Sequence, residues 1–388
     1  MSRWWSERPT RETDLGVWLG LLVALLALLL TGTPPRTTVL ALILVAITLA
    51  VSLRWRIAGL AVIVLLVVGI TLRMLPPQGF SDVMLVTEAA IRETLAGGSP
   101  YGVGFAASIP PGAPFAYGPV ALLWYLPSLD DPGRMELLAS LVILLLLAIR
   151  GRPLGLAIYA VTPALIVAAG DGANDTSAGL LLMVSLLVAV RAPVAGAVLL
   201  AVATAFKPYA LAWLPGLLAY GGVTGPLIAF GAVSLLTWGL ASLAWGPDAI
   251  LRSFQRANDL HGQAYYSLAY AVGAPEWVPK PAWQALRVVV GVLLAAAAFL
   301  VVRSAASFIL VGALVFGATL FLGWWSTFAY VAAVAPILCW HLDDWLGLGH
   351  SRAVWPGDPV RTVTDRVDSR WPIRDSSDID MDPSSAGR

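Results

Sequence analysis

A carboxylate, a lysine and a few arginines interrupt an otherwise apolar chain, and chemistry is expected where they stand. Ser81-Asp82 opens the stretch 82–96, in which Glu88 and Arg92 are four residues apart, the spacing at which side chains meet on one helix face. Asp82 has two compatible readings. In one, Ser81 or Asp82 caps that helix by satisfying its free backbone N–H groups, and the helix dipole favours the charge; in the other, Asp82 is a general base at the water–membrane boundary acting on an acceptor hydroxyl. Further on, Asp171, Asn174 and Asp175 lie between two apolar runs. Acidic residues at bilayer depth are costly and tend to be functional; at a helix end in water they are cheap, and capping accounts for Asp175. Lys207, one of only two lysines, also falls between apolar runs and is followed by Pro208 and Tyr209. It either snorkels to the interface or supplies a point charge for a lipid phosphate. Arg252, Arg256, Asp259, His261, Tyr265 and Tyr266 combine cations with aromatics, which suits phosphate and sugar binding and equally a membrane-interface belt.

The elements that must position these residues are helices in a membrane. Apolar residues form 59% of the 388 and charged residues 12%, half the charge of an ordinary soluble domain. A span needs about 20 predominantly apolar residues, fewer in tight bundles. Apolar runs fall near 16–31, 37–53, 57–74, 133–149, 153–169, 176–190, 193–206, 208–220, 223–245, 283–302, 305–321 and 325–341. The expectation is an all-α polytopic membrane protein of about twelve transmembrane helices, forming one domain over 1–341. Residues 342–388, rich in Arg, Asp, Ser and Pro, are expected to be a disordered cytoplasmic tail.

Orientation turns on Phe115–Leu126, about 12 apolar residues containing Gly118-Pro119. If this run lies on the surface instead of spanning, Arg54, Arg56, Arg150, Arg152, Arg191 and Arg303 all fall on the side of the two termini. That is the cytoplasmic side by the positive-inside rule. Segments 75–132 and 246–282 then lie outside, with the turn at 170–175. The first apolar run ends without an A-x-A-like cleavage site, so no cleavable signal peptide is expected.

Other chemistries lack their residues. There is no Walker A motif and no Gly-rich dinucleotide fingerprint. The three histidines (His261, His341 and His350) are scattered, and the single cysteine, Cys339, lies in an apolar run. Nothing calls for a nucleic-acid partner.

Several of these motifs occur in an order that resembles the polyprenol-phosphate-mannose-dependent mannosyltransferases, glycosyltransferase family 87 of the GT-C superfamily. Ser81-Asp82, Glu88-Ala89-Ala90 and Leu95-Ala96-Gly97-Gly98-Ser99-Pro100-Tyr101 are similar to that family's first external loop. Phe115-Ala116-Tyr117-Gly118-Pro119 is similar to its Tyr-Pro-Pro helix, with Gly118 in place of the first proline. Gly170-Asp171-Gly172-Ala173-Asn174 resembles its G-Q-x-N turn, departing at the Gln, and Lys207-Pro208 matches its Lys-Pro. The resemblance covers roughly 75–220. It implies a GT-C-like bundle with interfacial helices on the extracytoplasmic face. It also implies transfer of a sugar, mannose for this family, from a polyprenyl-phosphate donor to an extracytoplasmic acceptor, a glycolipid or polysaccharide. Asp82 would be the inverting general base, and Lys207, with Arg252 and Arg256, would bind the donor phosphate. Glu88, Tyr101, Tyr117, Asp171, Asn174 and His261 would bind sugar or acceptor. No resident cofactor is indicated; the residues leave room for a divalent ion without indicating one. A secondary transporter or lipid flippase, and a non-catalytic membrane scaffold, stay open as alternatives. Against the transporter stand the clustering of ionisable groups at one face and the lack of a visible repeat.

Overall fold

The computed structural model describes residues 58–74, 81–109, 111–150, 153–260, 266–273, 277–324 and 326–345. The expected spans 16–31 and 37–53, His261, and the chain beyond Trp345 lie outside these residues. The described chain is all-helical, with no strand. The helices are α1 (Ala58–Met74), α2 (Val83–Leu95), α3 (Pro119–Tyr125), α4 (Gly133–Arg150), α5 (Pro153–Val161), α6 (Pro163–Asp171), α7 (Asp175–Arg191) and α8 (Pro193–Phe206). After a 3-10 turn over Pro208–Trp213 follow α9 (Leu214–Gly221), α10 (Thr224–Trp245), α11 (Pro247–Leu260), α12 (Leu268–Ala271), α13 (Lys280–Val301), α14 (Ala305–Phe321) and α15 (Tyr330–Trp345). α7 is central, packed by α4, α8 and α15.

Prolines set most of the punctuation. Proline at the first helical position is pre-organised and gives up only an N–H that has no partner anyway. It opens α3, α6 and α8. Pro163 also breaks the run expected over 153–169 into two helices, since the residue before a proline is driven out of the helical region. Thr162 is accordingly extended.

Among the described residues two helices, α10 and α13, are long and apolar enough to cross a membrane, and up to four if each of two bent pairs is one span. Those pairs are Pro119–Ser128 with Gly133–Arg150, bent by 96°, and Pro163–Gly170 with Asp175–Arg191, bent by 108°. The expected count of about twelve is not confirmed; among the described residues, several other runs fold as shorter or interrupted helices, such as Pro193–Phe206 and Ala305–Phe321. The outward faces of α10 and α13 carry Leu235, Leu243, Val292 and Leu300, each more than 60% exposed. Contiguous apolar surface of this kind is compatible with embedding in a membrane.

The break at Pro163 leaves backbone carbonyls to be satisfied. A proline cannot donate to the carbonyl four residues back, here that of Tyr159. Arg73, 3% exposed in the last turn of α1, takes its place. Its guanidinium donates to the carbonyls of Tyr159 (2.7 Å) and Ala160 (3.0 Å), to Gly69 O and to Ser140 Oγ, and stacks over the Tyr159 ring. At its other end, α5 is capped from α15. The Asp343 carboxylate accepts from the N–H groups of Leu154 (3.3 Å) and Gly155 (2.9 Å), and Arg150 pairs with Asp344 at 3.0 Å. Gly155 lies so close to the Cys339 carbonyl that a Cβ would collide with it. These bonds keep residues 342–345 helical, so the expected tail begins later than residue 342.

Arg73→Leu is expected to strand two buried carbonyls, each worth about 1–3 kcal/mol. Its thermal unfolding midpoint in detergent should fall clearly below wild type. Arg73→Lys, which cannot span both carbonyls and Ser140, should fall between.

Candidate functional site

The site forms where α7 begins inside the protein. Gly172 and Asn174 take left-handed backbone conformations, φ 72° and 52°, which glycine adopts without strain and asparagine tolerates better than most residues. The turn they make points the first N–H groups of α7 into the interior. A helix start leaves such groups without partners. The caps are not the expected ones. Glu136 of α4, 0% exposed, accepts from the N–H groups of Thr176 (3.0 Å) and Ser177 (3.1 Å) and from the Tyr125 hydroxyl. Asp175 instead turns its carboxylate to side chains. Its Oδ1 accepts from Lys207 Nζ at 2.7 Å and from the Tyr209 hydroxyl at 2.8 Å.

Lys207 ends α8 in extended conformation before Pro208. It is only 8% exposed, so its ammonium is held inside the protein and does not snorkel. Nζ also donates to Asn174 Oδ1 at 2.6 Å. The rings of Tyr209, Tyr117 and Tyr330 surround it, with centroids 5.1, 5.5 and 5.6 Å away, inside cation–π range. Such a pair is stable only when its remaining hydrogen bonds are satisfied. Here the hydroxyl, the amide and the rings supply them.

The segment preceding α4 covers this cluster. Trp124 Nε1 of α3 donates to Ser177 Oγ at 3.0 Å, and Trp124 and Tyr125 pack on Phe206. The Gly118 N–H donates to the Phe206 carbonyl at 3.1 Å. A Cβ at 118 would collide with the Ala205 carbonyl. Proline at 118 could neither donate that bond nor fit.

Asp82 stands at the N-cap position of α2 without capping it by its side chain. Its Oδ2 accepts the Ile109 N–H at 2.6 Å, tying the start of α2 to the following loop. Asp82 is half-buried. The hydroxyl of Tyr117 is held above the ordinary tyrosine range, first by the protein atoms crowding it, then by the carboxylates of Asp175 and Asp82. Tyr117 thus lies within electrostatic reach of both Asp82 and Asp175, with its ring 5.5 Å from Lys207 Nζ.

The other expected residues are placed elsewhere. Glu88 forms its helix-face pair with Arg92 at 2.9 Å, and Arg92 continues to Asp130 at 3.0 Å. Tyr101 is 1% exposed inside the loop, its hydroxyl donating to the Tyr117 carbonyl at 3.0 Å. Arg252 and Arg256 are exposed on α11, whose buried face of Ala249, Ile250 and Ser253 docks on the first segment. Ser253 Oγ accepts the Gly102 N–H there at 2.8 Å. Asp171 ends α6. Among the described residues no three His, Cys, Asp or Glu side chains gather as a metal would require.

Sequence reasoning missed Glu136 and Tyr330. Glu136 carried a usable signal, a carboxylate in the first turn of an apolar run. Tyr330 carried none, lying more than a hundred residues from its neighbours in the cluster. Compared with models of protein families, with curated proteins and with solved structures, the chain matches none.

Lys207→Met is expected to cost about 3–5 kcal/mol, because Asp175 is left charged, buried and short of a partner. Adding Asp175→Asn should recover much of that loss in denaturation of the purified protein. A second change that only added to the damage would mean the pair is not the stabilising unit.

Proposed function

We propose that the chain is a membrane glycosyltransferase of the GT-C type. It moves a sugar, mannose by the family resemblance, from a polyprenyl-phosphate donor to an extracytoplasmic acceptor hydroxyl. The observation that supports this reading is the buried Lys207–Asp175 pair, with the Tyr117 ring 5.5 Å from the Lys207 ammonium and the half-buried Asp82 carboxylate within electrostatic reach of Tyr117. Asp82, Tyr117 and Lys207 come from three separate parts of the sequence and belong to the motifs that carry the resemblance, and Asp175 adjoins one of them.

In the reaction, the acceptor hydroxyl attacks the anomeric carbon as Asp82 takes its proton. The bond from that carbon to the phosphate oxygen breaks, and the electron pair leaves with the lipid phosphate, inverting the configuration. The phosphate is a stable anion, so no strong general acid is needed; cations must face the developing charge. Ile109 N–H fixes the Asp82 carboxylate. Lys207 shares its charge with Asp175, so it orders the tyrosines around it as well as contributing field. The 96° bend between α3 and α4 supports a reading in which α3 lies along the membrane surface and α4 crosses it, the arrangement that gathers the arginines on one side. The protein then resides in the cell membrane with both termini cytoplasmic.

One observation favours the transporter reading. Glu136, Asp175 and Lys207 form a buried ionisable group at a helix start, an arrangement that also serves ion coupling. Flux of a polyprenyl-phosphate sugar across vesicles without glycosyl transfer would support it.

Membranes containing the protein, given polyprenyl-phosphate mannose with labelled sugar, are expected to transfer label to lipid or polymer fractions. Asp82→Asn, at matched expression, should lower the rate on the order of 10²- to 10⁴-fold. A mutant as fast as wild type would remove Asp82 from the role of base.

A further inference from the structure

Among the described residues, Arg252, Arg256 and Arg287 are the cations with no hydrogen bond or ion pair. Arg252 and Arg256 are exposed to solvent, where an unpaired charge costs little. Arg287 is half-buried on α13, and an unpaired charge at that depth is expensive. Its side chain lies against Gly323, where a Cβ would come within 3.1 Å of Cδ and 3.4 Å of Nη1. It also interacts electrostatically with Tyr330, whose ring faces Lys207. The guanidinium is therefore on the flank of the candidate site.

A second observation is independent of the first. Trp283, four residues earlier and so on the same helix face, is 8% exposed, and its indole Nε1 is buried without an acceptor. Three residues beyond Gly323, Ser326 is 0% exposed, and its hydroxyl has no partner either. Buried indole and hydroxyl groups ordinarily find partners. A guanidinium fork and an indole N–H are donors only, so what they lack is an acceptor, and the uncompensated charge calls for an anion. Immediately beyond them the flank of α13 is apolar and open: Val288, Val289, Val292 and Leu293 are 54–63% exposed. An anion with a long apolar tail fits both halves of this surface.

We propose that Arg287 and Trp283 bind the phosphate of a lipid whose chain lies along the outer face of α13. This deepens the reading above and rests on it for the identity of that lipid, the polyprenyl-phosphate sugar donor. Arg287, rather than Arg252 or Arg256, then faces the charge that develops on the leaving phosphate.

The test is binding of labelled undecaprenyl phosphate to the full-length protein in phosphatidylcholine nanodiscs, with undecaprenol and inorganic phosphate as separate probes. Arg287→Gln is expected to weaken undecaprenyl phosphate binding on the order of 10- to 100-fold. Arg287→Lys keeps the charge without the fork and should fall between. Trp283→Phe should weaken binding a few-fold, and undecaprenol should bind all variants alike. Thermal midpoints identify any variant that fails to fold, and Arg287→Lys then decides. Wild-type affinity in a folded Arg287→Gln or Arg287→Lys protein would overturn the proposal. Inorganic phosphate binding as tightly as undecaprenyl phosphate would also overturn it, by making the site one for free phosphate. Arg287-dependent binding without sugar transfer would remove the glycosyltransferase and leave this site standing. Transfer with an unchanged donor KM in Arg287→Gln would do the reverse.

Discussion

The buried start of α7 is the constraint on which the rest of the structure depends. A helix N-terminus carries several unpaired N–H groups and about half a positive charge. Water cannot reach it here, so the protein must answer it with acceptors. Glu136 does so from α4. Asp175 brings a second carboxylate to the same place, and a buried carboxylate there calls for a cation. Lys207 is that cation, and its position fixes the end of α8. The tyrosines follow, because an ammonium inside a protein is stable only among hydroxyls, amides and aromatic faces. Once these demands are met, Tyr125, Tyr117, Tyr209 and Tyr330 have little freedom left.

Much of this was legible in the sequence, and the parts that were not have physical reasons. Helices were readable because each is a sustained apolar run bounded by proline, glycine or arginine. The boundaries of α8 fall where the run 193–206 placed them. The Glu88–Arg92 pair followed from helical spacing alone. The number of spans was not legible, because apolarity gives the existence of a helix and not its continuity; Pro163 interrupts a run that read as unbroken, and the run 208–220 opens as a 3-10 turn before α9. Capping was legible only in part, for a related reason: Ser81 Oγ does accept the Val83 N–H at 3.3 Å. Asp82 and Asp175 have the residue type and position of caps, yet their side chains serve a loop N–H and a lysine, while the cap of α7 arrives from a helix forty residues earlier. Tertiary partners override local chemistry where a helix end is buried.

The two candidate cations differ in what surrounds them. Lys207 is compensated by Asp175 and caged by rings, which makes it a fixed part of the architecture. Arg287 is uncompensated and sits beside open apolar surface. A binding site and a structural ion pair can look alike in sequence, as single basic residues near helix ends. They separate only when the partners of each are counted.

The bond from Gly102 to Ser253 joins positions 151 residues apart in the chain. A ribosome making this protein delivers the first segment long before α11 exists. Until Ser253 arrives, the loop around Gly102 lacks one of its anchors, and Tyr330 closes the ring of aromatics later still. The covering of the site is therefore among the last parts to acquire its native form during synthesis, after the helices beneath it have already packed.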